Sequence, residues 1–328
     1  MAANKNSRSI RKARLLAGLF VALASTSVGA NPGAGSAAAS AAGRAEATEK
    51  TFTLEQACAA IGGRLRSVGK ERCLKAGLQL SGGYSIKGMP LLYQDFQPTK
   101  PPASGPAHRV LMIGGIHGDE LVSVSIAFQW MQRLETEAEQ PFHWRVLPAT
   151  NPDGLLVRPS TRVNSRGVDL NRNFPTEDWK ADALAYWQKR ARRDPRRYPG
   201  PSALSEPETR WLVREIQEFK PDAIVSVHAP YGVLDFDGPE NPPTRFGYLR
   251  LHQLGTYPGS LGNYAGINLG IPVITLELPH AGIMPTPAQS EKVWADMRAW
   301  LQKNLPKQPP MSARSTAGAG RPAPGVSN

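Results

Sequence analysis

Through the middle of this 328-residue chain, short apolar runs alternate with longer stretches in which apolar residues recur every three or four positions. Arg109 to Ile113, Trp144 to Pro148, Ala223 to Val227 and Val273 to Leu278 are rich in Val, Ile and Leu, the pattern of strands buried on both faces. Leu121 to Leu134, Glu206 to Phe219 and Pro287 to Leu301 carry the helical period instead. Ser205 followed three residues later by Glu208 predicts a capping box at the start of the second helix. Alternation of this kind predicts an α/β sandwich around a largely parallel or mixed sheet. In such sheets the chemistry gathers just beyond the carboxyl ends of the strands.

The first thirty residues differ in kind. Lys5, Arg8, Arg11, Lys12 and Arg14 precede an apolar run from Leu15 to Ala24, and Val28-Gly29-Ala30 places small residues where a signal peptidase cuts. The run has ten residues, about half of the ~20 that a membrane-spanning helix needs, so residues 1–30 are expected to be a signal peptide and not an anchor. Residues 31–50, rich in Ala, Gly and Ser, read as a flexible linker, and 306–328 as a disordered tail. Between them, 51–77 is expected to form a small helical cap and 78–305 a single catalytic domain. No internal repeat is visible.

Export changes the reading of charge and cysteines. Removal of residues 1–30 takes away five positive and no negative charges, lowering the formal net charge from +12 to +7. Part of the remainder sits in Lys189 to Arg197, which reads as a solvated face, and no nucleic-acid motif accompanies it. The expected location is outside the inner membrane, in the periplasm. Two cysteines, Cys58 and Cys73, make a disulfide candidate there, and closing so short a loop contributes about 3 kcal/mol on the chain-entropy model.

Candidate chemistry clusters after the predicted strands. The first runs into Gly114-Gly115-Ile116-His117-Gly118-Asp119-Glu120, which puts an imidazole and a carboxylate on one turn, nitrogen and oxygen ligands suited to zinc. The third ends in His228. Two histidines and a glutamate, with a fourth position left open for water or substrate, form a catalytic zinc set. The fourth ends in Glu277, a carboxylate at the end of an apolar run that calls for a partner or a function. Between them lie Asn151-Pro152-Asp153-Gly154, Arg162-Val163-Asn164 and Gly167-Val168-Asp169-Leu170-Asn171-Arg172-Asn173-Phe174.

Taken together, these motifs resemble the zinc metallocarboxypeptidase family over about residues 80–304. The resemblance implies a three-layer α/β/α sandwich with a mixed, mostly parallel central sheet. It also implies one Zn2+ ion held by His117, Glu120 and His228. In that pattern Glu277 takes a proton from the attacking water and passes it to the leaving amine. Arg162 stabilises the developing oxyanion. Asn171 and Arg172 grip a substrate carboxylate, and Asp169 orients the ring of the first histidine. Tyr257 stands roughly where the family has a tyrosine that closes over the substrate, with Tyr264 as the alternative.

Within the family, the loop at His117, the block Asn164 to Pro175, the run Ser205 to Thr209 and Pro258-Gly259-Ser260-Leu261-Gly262 are similar to a bacterial branch, the murein peptide amidases. These cleave γ-D-glutamyl-meso-diaminopimelate in cell-wall peptides. The implied partner is a peptide with a free carboxylate, with no nucleic acid and no stable membrane span. The acidic stretch Asp235 to Glu240, read as a loop, is a candidate for recognising the second amino group of diaminopimelate. Competing readings are a secreted carboxypeptidase on α-linked peptides, a zinc deacylase, which the full Arg162, Asn171 and Arg172 set disfavours, and a cell-wall-binding pseudoenzyme, which the full ligand set disfavours.

Overall fold

The computed structural model describes residues 51–305, except 103–104 and 240. The expected signal peptide, linker and tail lie outside the described residues. Among the described residues the order is α1 (Leu54–Arg64), α2 (Lys70–Lys75), β1 (Gln79–Tyr84), β2 (Pro90–Phe96), β3 (Arg109–Gly114), α3 (Leu121–Thr136), β4 (His143–Leu147), α4 (Pro152–Leu156), α5 (Trp179–Lys189), α6 (Pro207–Phe219), β5 (Ala223–His228), β6 (Val233–Asp237), β7 (Arg245–Phe246), β8 (Leu249–Leu251), β9 (Val273–Glu277) and α7 (Pro287–Asn304).

The strands form one sheet in the order β1-β2-β4-β3-β5-β9-β6-β8-β7. Its centre, β4-β3-β5-β9, is parallel, and both margins contain antiparallel pairs. Alternation sorts the side chains into two cores. Val225, Val227, Ile274 and Leu276 join α1, α3 and α7 on one face, while Ile224 and Val273 join α6 on the other. Every residue of β5 is buried, which is why its sequence reads as an unbroken apolar run apart from Ser226 and His228. The result is a mixed α/β sandwich with helices on both faces.

The four predicted strands and three predicted helices all form, with boundaries shifted by a few residues. The margins of the sheet were not predicted. Leu80 and Tyr84 on β1 are exposed, with Gly82 and Gly83 between them, so no apolar pattern marks this edge. Asp235 to Asp237 is a strand and not a loop: β6 pairs with both β9 and β8, and Asp235 is buried. Within 51–77, α1 and α2 share one core with the rest of the described residues, Ala57, Ile61 and Leu65 belonging to the same cluster as Val122 and Phe128. A disulfide joins Cys58 to Cys73. Among the described residues no helix is long and apolar enough to cross a membrane.

The capping box expected from Ser205 and Glu208 does not form. Glu206 is the N-cap of α6 and makes no side-chain cap. Ser205 Oγ instead donates to Glu206 Oε1 (2.8 Å) and accepts from Asn173 Nδ2 (3.0 Å). Glu206 and Glu208 both turn inward to Asn164 Nδ2, which donates to their Oε2 atoms at 2.7 and 3.2 Å. A local cap has been given up for a buried tertiary contact.

Burial raises the Glu208 carboxyl from its ordinary 4.5 to about 7, with Asp153 and Glu206 adding repulsion. The folded state therefore holds this proton more tightly than the unfolded chain does. The group's contribution is fully present below pH 4.5 and is lost as pH rises through 7. Glu208→Gln, uncharged at every pH, is expected to raise Tm at pH 8 and to give no gain at pH 5. Thermal melts of both proteins across that range check this.

Candidate active site

The site lies beyond the carboxyl ends of β3, β5 and β9. After β3 the chain turns to His117 and reaches Glu120, the N-cap of α3. This loop rests directly on the backbone of α4: a Cβ on Gly118 would collide with the carbonyl carbon of Gly154, and one on Gly154 would lie 2.6 Å from Val163 O. His228 and Glu277 end adjacent parallel strands and are register partners. Two residues earlier, Ser226 and Thr275 are partners on the same face, and Asp235 of β6 stands opposite Thr275. The sheet thus presents two polar rows to the cleft.

His117 Nδ1 lies 2.7 Å from Glu120 Oε1, His228 Nδ1 lies 3.0 Å from Glu120 Oε2, and the two Nδ1 atoms are 3.1 Å apart. All three residues are buried. The outer nitrogens are occupied: His117 Nε2 stands 3.2 Å from Asp169 Oδ1 and His228 Nε2 2.9 Å from Ser226 Oγ. Each ring nitrogen of His117 faces a carboxylate, and in the tautomers with the His117 proton on Nε2 towards Asp169 and the His228 proton on Nε2 towards Ser226, both Nδ1 atoms turn lone pairs towards Glu120. Three electron-pair donors then face one another. A second proton on His117 would relieve its contact with Glu120 and leave the others; one divalent cation answers all three, so the residues fit a zinc ion.

The surroundings favour positive charge at this point. Burial alone would raise the Glu120 carboxyl, but the imidazoles of His117 and His228 outweigh it and hold the group well below the carboxylate range. Asp169 behaves likewise, its burial outweighed by Arg162 and His117. Arg162 Nε donates to Asp169 Oδ2 (2.9 Å), and Arg162 Nη1 lies 3.6 Å from Glu120 Oε1. Burial raises the Glu277 carboxyl, with His228 opposing the rise. The Tyr231 amide donates to its Oε2 at 3.5 Å.

Asn171 and Arg172 occupy a 3-10 turn, Leu170–Arg172, whose N-cap Asp169 accepts from the Asn171 amide (3.0 Å). Asn171 Oδ1 accepts from Leu261 N (2.8 Å), which leaves its NH2 group for the cleft. The Arg172 guanidinium lies 4.3 Å from the centre of the Tyr257 ring. Tyr257 lines the cleft, its hydroxyl donating to Leu254 O, whereas Tyr264 stacks on Phe174 in the core. The structure therefore brings His117, Glu120, Arg162, Asp169, Asn171, Arg172, His228, Tyr257 and Glu277 to one place.

Several cleft residues escaped the sequence reading. Ser226 and Thr275 look like ordinary strand residues. Tyr231 follows His228 closely and is well exposed at the rim. Arg197 also lines the cleft, and its neighbour Arg196 reaches Asp119 (2.7 Å), so the cluster Lys189 to Arg197 is not merely a solvated face. Only the fold, which leans the segment after α5 against the His117 loop, reveals this.

Residues 79–236 match the zinc carboxypeptidase family. Over 206 residues the chain is 31% identical to murein peptide amidase A of Escherichia coli K12, covering 60% of this chain and 79% of the relative. The enzyme of that name from Vibrio campbellii gives 31% over 206 residues, 61% of this chain and 78% of the relative. Carboxypeptidase A of Helicoverpa armigera shares the fold, with a TM-score of 0.52 at 18% identity over 77% of this chain and 73% of that one. The chain belongs to the zinc carboxypeptidase family. It is accordingly a hydrolase of the metallopeptidase class.

Ser226→Ala removes the partner of His228 Nε2 and is expected to weaken zinc binding by roughly tenfold or more. Competition against a chromophoric chelator measures this; unchanged affinity would show that Ser226 does not orient the ligand.

Proposed function

We propose that the protein is a zinc-dependent peptide amidase that hydrolyses an amide bond next to a free carboxylate, with γ-D-glutamyl-meso-diaminopimelate in peptidoglycan peptides as its substrate. The observation that carries the reading is the convergence of His117, Glu120 and His228 beside Glu277 and two guanidiniums in one cleft. Zinc bound by those three residues would supply Lewis-acid chemistry at the scissile carbonyl.

The chain's own residues do the rest. Glu277, its carboxyl raised by burial, accepts a proton from the attacking water and returns it to the leaving amine. Arg162, held by Asp169, faces the developing oxyanion. Asn171 and Arg172 take the carboxylate beside the scissile bond, with the Tyr257 ring against the guanidinium. Buried in a cleft, these charge-assisted bonds favour substrates that end in a free carboxylate.

Preference for diaminopimelate is supported by the acids at the floor of the cleft. Asp235 and Asp237 both line it. Burial and the proximity of Asp235 push the Asp237 carboxyl up to about 7. A leaving residue that brings an ammonium group there would restore its ionisation. The likeness to murein peptide amidase A points the same way. The leader read in residues 1–30 and the Cys58–Cys73 disulfide support action in the periplasm.

Purified protein incubated with a γ-linked diaminopimelate tripeptide and with α-linked peptides, with and without chelator, tests this directly. Release of diaminopimelate that stops on zinc removal is expected; cleavage of the α-linked peptides alone would make it an ordinary carboxypeptidase. Glu277→Gln should keep its zinc and lose turnover, and wild-type rates in that variant would overturn the role of Glu277. With Asp235→Asn and Asp237→Asn combined, the preference for diaminopimelate over norleucine as leaving group should fall. An unchanged ratio would remove these acids from recognition.

A further inference from the structure

Helix α1 ends against the loop that carries Arg162. Its last residue, Arg64, donates through Nε to the Leu155 carbonyl (3.1 Å) and to Ser160 Oγ (3.0 Å), and through Nη2 to the same hydroxyl (2.6 Å). Ser160 Oγ in turn donates to the Leu155 carbonyl (2.6 Å). One guanidinium thus ties the end of α4 to the residue two before Arg162. The following residues are held to the same framework. Thr161 N donates to Gly154 O (2.9 Å), and Asn151 Nδ2 and Gly118 N donate to Arg162 O at 3.0 and 3.4 Å.

The helix that supplies Arg64 is itself anchored. A capping box at Thr53 and Gln56 starts it, the disulfide ties Cys58 to Cys73, and Ala57 and Ile61 are buried in the main core. Downstream, Arg162 has little slack, with Asp169 at 2.9 Å and Glu120 at 3.6 Å. The chain of contacts therefore runs from the N-terminal helices to the guanidinium over the cleft through Arg64, Ser160 and Thr161, each partly buried and hydrogen-bonded.

We propose that Arg64 is a positioning residue for Arg162, clamping Leu155 to Ser160 so that the Arg162 guanidinium is held over the cleft, and that the N-terminal helices are in this way part of the catalytic apparatus. The inference rests on the oxyanion role given to Arg162 above. A displacement of about 1 Å in such a group can cost on the order of a hundredfold in rate. A donor held by a second layer of bonds is the usual remedy.

A double-mutant cycle tests it, on whichever of the γ-linked or α-linked peptides the wild-type enzyme cleaves. Arg64→Met keeps the aliphatic stem and loses the donors. It should lower kcat by about tenfold with KM within roughly twofold, and Arg64→Lys should recover part of the loss. Arg162→Ala should cost about a hundredfold. In the Arg162→Ala background, Arg64→Met should have no further effect. Glu55→Gln, which breaks the ion pair of Glu55 with Lys70 on the exposed side of the same helices, should leave kcat unchanged. If Arg64→Met does not fold, Ser160→Ala removes the acceptor and should show the same kcat-specific loss. A factor for Arg64→Met that is equal with and without Arg162, or full activity in Arg64→Met or Ser160→Ala, would overturn the proposal. Wild-type rates in Arg162→Ala would instead overturn the role of Arg162.

Discussion

The active site is organised around a collection of lone pairs largely withdrawn from solvent. Two imidazole nitrogens and a carboxylate converge where all three residues are buried, and their outer atoms are already engaged by Asp169 and Ser226. Glu120, Asp169 and Glu277 add buried carboxylates around them, faced by the three arginines that line the cleft, Arg162, Arg172 and Arg197. Such an arrangement is costly unless a cation completes it, and that cost is the physical reason for expecting tight metal binding. The neighbouring backbone follows from the same need. The His117 loop, α4 and the Arg162 segment pack main chain on main chain through Gly118 and Gly154, a spacing that keeps the donor atoms within reach of one centre.

Around this centre the fold divides its labour. The parallel middle of the sheet supplies the strand ends of the site, and helices pack on both of its faces. The margins differ in character: an edge strand with exposed side chains on one side, and on the other β6, whose acids face the cleft. The N-terminal helices are not an appendage. They share the core of the catalytic region and reach towards the site through one arginine.

How much of this was legible in the sequence depended on how local each signal was. His117 and Glu120 share one turn, the 169–173 motif is a single short run, and His228 and Glu277 end apolar runs, so residue type and element were readable together. Tyr257 and Tyr264 were not separable, because one ring packs on Arg172 and the other on Phe174, contacts between residues far apart in the chain. β6 reads as a loop because its acids, proper to a solvated segment by composition, are drawn to the cleft by pairing with β9. The capping pattern at Ser205 failed for a similar reason, Asn164 competing successfully for both glutamates. Arg64 and Ser160 carry no signal at all in one dimension, since their pairing exists only after α1 docks.

The side-by-side placement of His228 and Glu277 has a consequence for how the protein comes to be active. Successive strand residues point to opposite faces, so a slip of one residue between β5 and β9 would send one of the two side chains into the hydrocarbon layer under the sheet. A chain that reaches a compact but misaligned state would bury a polar side chain there and part His228 from Glu277 in the same event. On the roles proposed for these two residues, catalytic competence requires faithful strand alignment, and active-site titration of a refolded sample would count correctly aligned sheets.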